Sequence, residues 1–231
     1  MKPQPSRSCR IALLLVLAGL ATSTLAGLPP LPLTSHPTID ARDGWRDLFA
    51  SDLSNASLTP GSWVFEKGIL GRQGPGHIWT KAAYRDFILD LEFRLEAGSN
   101  SGVFLRSSDT VNWLQHSIEI DVNDSYGPSP RYAGLCGAVY DCVVPAKNPI
   151  KAPGQWNRMT ITCQGSRIGV ILNGERIVDM DLDRWTEPHK NPDGTRNKFN
   201  TAYRDMARVG PIGFQDHREP VWYRAIRIKV L

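Results

Sequence analysis

From Trp63 to Leu231 the chain alternates apolar and polar residues in short runs broken by turn signals: "WVFEKGILG", "DFILDLEFRL", "SGVFLR", "SIEIDV", "GAVYDCVV", "NRMTITC", "RIGVILNGERIVDMDL", "VGPIGFQ" and "VWYRAIRIKVL". A period of two over a few residues is the mark of a half-buried strand, and no stretch sustains the 3.6-residue period of a helix. Asn173-Gly174 sits between two alternating runs and predicts a tight type I′ hairpin, since both central residues of that turn need positive φ. Lys67-Gly68 predicts a second, by the same reasoning with a less favoured pair. Many short strands at this spacing predict an all-β jelly-roll β-sandwich. The polar stretch 183–209 then forms a long rim loop.

Within this pattern "HSIEIDVND" carries the clearest chemistry. Side chains two apart on a strand share a face, so Ile118, Ile120 and Val122 point into the core while Glu119 and Asp121 point the other way. On a convex face such a pair is simply solvated. In a cleft, each carboxylate disfavours ionisation of the other, which leaves an acid beside a base. Arg106 ends the run "SGVFLR" and is either a binding cation or one half of an ion pair with Glu92 or Glu119. Lys147 lies in the proline-marked loop "VVPAKNP". "GPIGFQDHREP" sets Gln215, Asp216 and His217 side by side before the last strand, where a capped turn would equally account for their polarity.

The N-terminus departs from the β pattern. Lys2, Arg7 and Arg10 precede an apolar run from Ile11 to Leu20 and small residues near Ala26, which reads as a signal peptide over residues 1–26. The run is well short of the roughly 20 residues that a spanning helix needs, so no membrane span is expected. Export, to a bacterial periplasm or beyond, is the corresponding expectation. Residues 27–43, rich in proline, form a leader ahead of the domain at 44–231. The three signal cations belong to 27 basic residues set against 23 acidic ones, which leaves 24 against 23 and a net charge of +1. A nearly neutral domain has no basic stripe for phosphates, so nucleic acid is not an expected partner. In an oxidising compartment Cys136 and Cys142 of "CGAVYDC" are close enough in sequence to form a disulfide. Cys163, in the alternating "MTITC", is then left as a buried hydrophobe.

Five ordered blocks carry a family resemblance: "GWRDLFASDLSNAS", "WTKAAYRDFILDLEFRLEAGSNSGVFLR", "GAVYDCVVPAKNPIKAPGQWNRMTI", "VILNGERIVD" and "GPIGFQDHREPVWYRAIRIKVL". Together they make residues 44–231 resemble the 3-keto-disaccharide hydrolase domain, whose members are also described as 3-keto-glucoside 1,2-lyases and 3-keto-2-hydroxy-glucal hydratases. The resemblance implies a concanavalin A-like jelly roll. It also implies a sugar substrate already oxidised at C3 by an upstream sugar 3-dehydrogenase. The ketone acidifies the proton at C2; a base removes it, the enolate expels the group at C1, and water adds to the unsaturated sugar. Such chemistry needs a base, a group that stabilises the enolate, and an acid for the leaving oxygen. Glu119 or His217 would be the base and Arg106 or Lys147 the enolate partner. Asp121, Gln215 and Asp216 would orient the sugar or hold a divalent metal ion, and Trp79 and Tyr140 would be stacking platforms.

Two other readings stay open on sequence. "EIDVND" approximates the E-x-D-x-x-E strand of retaining glucanases, with Glu119 as nucleophile, Asp121 as helper and Asp124 in the place of the second glutamate. The shorter Asp124 fits poorly with the spacing of about 5 to 5.5 Å that retaining chemistry wants between its carboxyls. A non-catalytic sugar-binding module on the same fold would need the aromatics and amides, but neither Glu119 nor His217.

Overall fold

A computed structural model describes Leu31, residues 33–128 and residues 134–231. The signal peptide expected over residues 1–26 lies outside the described residues. The strands in chain order are β1 (Arg46–Asp47), β2 (Ala56–Leu58), β3 (Trp63–Glu66), β4 (Ile69–Arg72), β5 (Ile78–Thr80), β6 (Phe87–Leu95) and β7 (Asn100–Leu105). They continue with β8 (Ile118–Asn123), β9 (Trp156–Gln164), β10 (Arg167–Leu172), β11 (Glu175–Asp181), β12 (Gly213–Phe214) and β13 (Val221–Val230). A single turn of helix, α1 (Trp113–His116), joins β7 to β8. All named pairings are antiparallel, and they make two sheets. An eight-stranded sheet runs β11-β10-β9-β6-β13-β4-β3 with β1 added beside β13, and a five-stranded sheet runs β2-β5-β12-β7-β8. This is a jelly-roll β-sandwich.

Alternation builds the core. Phe87, Leu89, Leu91 and Phe93 of β6 face Val103 and Leu105 of β7 and Ile118, Ile120 and Val122 of β8, all of them buried in one apolar cluster. Both expected hairpins form. Asn173 and Gly174 have φ of 49° and 86° and join β10 to β11, while Lys67 and Gly68, at 50° and 78°, join β3 to β4. Phe214 and Tyr223 pack against each other between the sheets with ring centroids 4.4 Å apart. The Ser101 hydroxyl is 2.8 Å from the Tyr223 hydroxyl and donates to the Gln215 carbonyl at 2.8 Å, so a polar tie fixes β7 and β12 against β13.

Several expectations are corrected here. "GAVYDCVV" is not a strand of either sheet; positive φ at Gly137 (81°) and Asp141 (60°) breaks it into turns. It runs instead along the free edge of β8 through Asp121 N to Ala138 O and Tyr140 N to Glu119 O, both 3.0 Å. The short strand β5 escaped the pattern because Ile78, Trp79 and Thr80 are all buried and do not alternate in polarity. Cys136 and Cys142 are free thiols rather than a disulfide. The turn between them aims Cys136 into the core, while Cys142 faces Tyr203 and Trp185. Burial pushes both thiols up to about 12, which suppresses the thiolate.

The leader is more than a spacer in its described part. Leu31 is buried against Gly169 on the outer face of the eight-stranded sheet, where any side chain at 169 would overlap it. His36 accepts from Gly174 N at its Nε2 (2.9 Å), so its Nδ1 carries the proton and donates to Thr160 Oγ1 (2.8 Å). Thr160 in turn donates to Asp90, and Arg158 donates to Pro37 O at 2.8 Å. Burial first, and then the Arg158 charge, push His36 down to about 4. A histidine held below its ordinary 6.5 contributes stability that is full above pH 6.5 and lost as pH falls toward 4. His36→Ala is therefore expected to cost about 1–3 kcal/mol near pH 7.5, the worth of two hydrogen bonds. Thermal melts across pH 4–8 should show the difference from the parent protein shrinking on the acid side; a constant difference would mean that ring protonation is not what loosens the strap.

Candidate functional site

Register decides which side chains share the solvent face of the five-stranded sheet. β7 pairs with β8 as Phe104 with Glu119, Gly102 with Asp121 and Asn100 with Asn123, and β12 pairs Gly213 with both Phe104 and Trp79. Since Val103, Phe214 and Ile78 face the core, Asn100, Gly102, Phe104, Glu119, Asp121, Gly213 and Trp79 lie on the opposite face. Two glycines make room there. A Cβ at Gly102 would overlap the Glu119 carboxylate and one at Gly213 would overlap the Trp79 ring, so each large side chain lies across its neighbouring strand.

Over this face lies a pocket of about 190 Å³ lined by Glu119, Asp121, Tyr140, Gln215 and His217, five of the residues singled out from sequence. Asn100, Trp113, Leu114 and Lys198 complete it. It is smaller than the roughly 300–1,000 Å³ of pockets that take drug-sized ligands, which suits a single ring. Larger clefts exist, including one of about 610 Å³ beside His36 and Asp90, but Asp90 is already paired with Arg158 and Thr160. Buried polar atoms without a hydrogen-bond partner distinguish the smaller pocket: Asn100 Oδ1, Asp121 Oδ2 and Gln215 Oε1. Unpaired polar atoms at one spot mark where the hydroxyl and carbonyl groups of a sugar would be received.

The electrostatics are those of an acid–base pair. Glu119 is 6% exposed and Asp121 4%. Burial pushes Glu119 up to about 7, against smaller downward pulls from a Gln215 hydrogen bond and the Lys198 charge. Asp121 is raised well above the ordinary carboxylate range, by burial first and Glu119 second. Lys198 is the cation of the site. Its ammonium bonds the Tyr140 hydroxyl and lies 4.2 Å from the centre of that ring. Burial pulls its pKa down, but the Tyr140 bond and the charges of Tyr140, Asp141 and Glu119 outweigh this and hold it above the ordinary lysine value.

Other expected site residues lie elsewhere. The Arg106 guanidinium is wholly buried and donates to Arg85 O, Gly165 O and Asp86 Oδ1 at 2.6, 2.8 and 2.9 Å, so it is a structural tie and not a sugar ligand. Lys147 pairs with Glu175 at the far end of β11, outside the pocket. Asp216 turns back to Arg72 Nε (2.5 Å) and to the backbone of Gly76 and Arg218 (2.8 Å each), capping the turn. It therefore does not converge with Asp121 and Gln215, and those three residues do not form the metal site considered for them. Among the described residues no group of three or more His, Cys, Asp or Glu side chains is placed to hold a metal. Trp79 is 7% exposed and stacks on Phe104 at 5.2 Å, a wall behind the pocket and not a platform. Asp124 accepts from Gly98 N and Tyr126 N in a loop, away from the position a second glucanase carboxylate would need.

Trp113, His77, Asn100 and Lys198 are the residues that sequence reasoning missed. Trp113 packs on Phe104 (4.7 Å) and on His77 (5.0 Å), and His77 Nδ1 receives Asp216 N at 2.9 Å. Asn100 was legible by parity with Gly102 and Phe104, and Trp113 as a large aromatic in an otherwise polar loop. Lys198 carried no local signal. It arrives from loop 183–209, whose residue Asn200 donates to Gln115 Oε1 while Gln115 Nε2 donates to Lys198 O.

A carboxyl raised above its unfolded value destabilises the fold once ionised. The penalty is absent below pH 4.5 and complete above about 7. Glu119→Gln removes it, so this variant is expected to gain up to about 3 kcal/mol near pH 8 and little near pH 4. Urea unfolding at the two pH values checks this, and equal stability at both would contradict the buried, raised carboxyl.

Comparison with known proteins then gives the family. A curated relative from Bacteroides thetaiotaomicron, described as a 3-keto-disaccharide hydrolase, is 24% identical over 82% of this chain and 75% of its own length. A crystal structure from Parabacteroides distasonis, provisionally described as a glycosyl hydrolase, is 35% identical, with a TM-score of 0.77 over 81% of this chain and 99% of the other. A second from the same organism, at 20% identity and a TM-score of 0.65 over 83% and 96%, shares the fold. Residues 43–229 match the model of the 3-keto-alpha-glucoside-1,2-lyase-like domain, and the chain belongs to that family.

Proposed function

We propose that this chain cleaves the glycosidic bond of sugars that carry a ketone at C3, by removing the C2 proton, eliminating the group at C1 and hydrating the product. The observation that carries the reading is the buried Glu119, held at about 7 beside Asp121 in a ring-sized pocket. A general base works best when its acidity is near the working pH. Glu119 takes the C2 proton. Burial and its neighbour favour the protonated form of Asp121, and its unpaired Oδ2 is the atom from which a hydrogen bond would reach the developing enolate oxygen. Asn100 and Gln215 accept from sugar hydroxyls, and Trp113 offers an apolar wall.

His217 is half exposed and bonded to Glu219, which suits a rim contact better than a base. A purely binding module would gain nothing from two buried carboxyls, whose desolvation works against the fold. The substrate would come from a sugar 3-dehydrogenase, and the N-terminal pattern supports action after export. The relative described as a 3-keto-disaccharide hydrolase supports the same substrate class.

The purified protein is expected to consume a 3-keto-glucoside and leave its unoxidised parent intact. Cleavage of the parent, or of a plain β-glucan, would overturn the reading. Glu119→Gln should lower turnover about 10²- to 10⁴-fold, the usual contribution of a general base, and His217→Ala much less. Because the base must be ionised, the rate should rise with pH through about 7. A rate that is flat or falling across that range would remove Glu119 from the role.

A further inference from the structure

The elimination needs a second proton handler, because Glu119 holds the C2 proton at the moment the aglycone oxygen takes up its electron pair. The structure points to a group outside the carboxylate pair. Tyr140 lies on the irregular segment that runs along the edge of β8, and its backbone N–H donates to Glu119 O at 3.0 Å, which fixes it alongside the base. Its hydroxyl is bonded by the Lys198 ammonium, which also lies over its ring. This contact is built and not a stray surface lysine. Lys198 N donates to Asp141 Oδ2 at 2.9 Å, and Gln115 holds Lys198 O and Asn200 N from the other side, at 3.2 and 2.9 Å. The Lys198 ammonium therefore lies against the oxygen from which a Tyr140 proton would leave. Both groups line the pocket with Glu119.

We propose that Tyr140 is the catalytic acid of this site: it protonates the departing glycosidic oxygen, and Lys198 stabilises the phenolate that results. The inference rests on the elimination reading above. The C2–H bond breaks and its proton passes to Glu119. The C1–O bond then breaks as C1=C2 forms, and the aglycone oxygen receives the Tyr140 proton and leaves as an alcohol. Water adds at C1; one of its protons restores Tyr140 and Glu119 returns a proton to C2, for net hydrolysis.

The test compares an alkyl 3-keto-glucoside, whose alkoxide needs a proton to leave, with 4-nitrophenyl 3-keto-glucoside, whose phenolate does not. Exchange of the C2 proton in D2O is followed by NMR, with circular dichroism melts as the control for folding. Tyr140→Phe should lose about 10²- to 10⁴-fold on the alkyl substrate, stay within roughly tenfold on the nitrophenyl one, and keep C2 exchange. Lys198→Met should show the same split, and Lys198→Arg should recover part of it. Equal losses on both substrates, or loss of C2 exchange, would reduce Tyr140 to a binding residue and overturn the proposal. Full activity of Tyr140→Phe on the alkyl substrate would overturn it while the elimination reading stands. Failure of the parent protein on both substrates would instead remove that reading, and this proposal with it.

Discussion

The register of β8 is the constraint on which the site depends. Ile118, Ile120 and Val122 fill the space between the sheets, and their burial commits Glu119 and Asp121 to the opposite face. A slip of one residue would drive two carboxyls into the apolar core and expose three branched side chains, an exchange far larger than the marginal stability of a domain. With that slip excluded, the acids are held side by side on a stiff strand whose neighbour carries Gly102, the space into which Glu119 lies. Glu119 is thereby both buried and fixed. Burial raises it and rigidity aims it.

The other elements supply the walls. Gly213 lets Trp79 reach Phe104, and Phe104 supports Trp113 from α1. Asp216 braces this end by joining the turn after β12 to Arg72 on the other sheet. The edge of β8 is covered by segment 137–143, which brings Tyr140 beside Glu119 and occupies backbone groups that an open edge would offer to another chain. Loop 183–209 is then docked on α1 by Gln115, and so Lys198 reaches the same pocket from a distance of more than fifty residues in sequence.

The eight-stranded sheet is the scaffold. It is tied to the neighbouring loops by Arg106, whose buried guanidinium is balanced by two carbonyls and Asp86, and it is strapped on its outer face by the His36 segment. These ties are satisfied, whereas Asn100 Oδ1, Asp121 Oδ2 and Gln215 Oε1 are left without partners together at the pocket. With the buried Glu119 and Asp121 beside them, they place a desolvation cost at the pocket, in keeping with the trade of stability for function at active sites.

Periodicity alone determined the all-β class, the two glycine hairpins, the core face of β8 and the pairing of Glu119 with Asp121, because strand parity and turn conformation are local properties of the chain. Gln215 was legible for the same reason, one strand position beyond a core phenylalanine. The departures share a cause. Arg106, Lys147 and Asp216 are polar residues of the right types, yet which of them meets a ligand depends on partners such as Gly165, Glu175 and Arg72 that lie far along the chain. Cys136 and Cys142 are near in sequence, but the turns between them send one into the core and the other toward Tyr203. Only the tertiary structure decided that Lys198 and Tyr140 meet, and that Glu119 is dry enough to titrate near 7, because desolvation and Coulomb interaction depend on what surrounds a group in space and not on its neighbours in sequence.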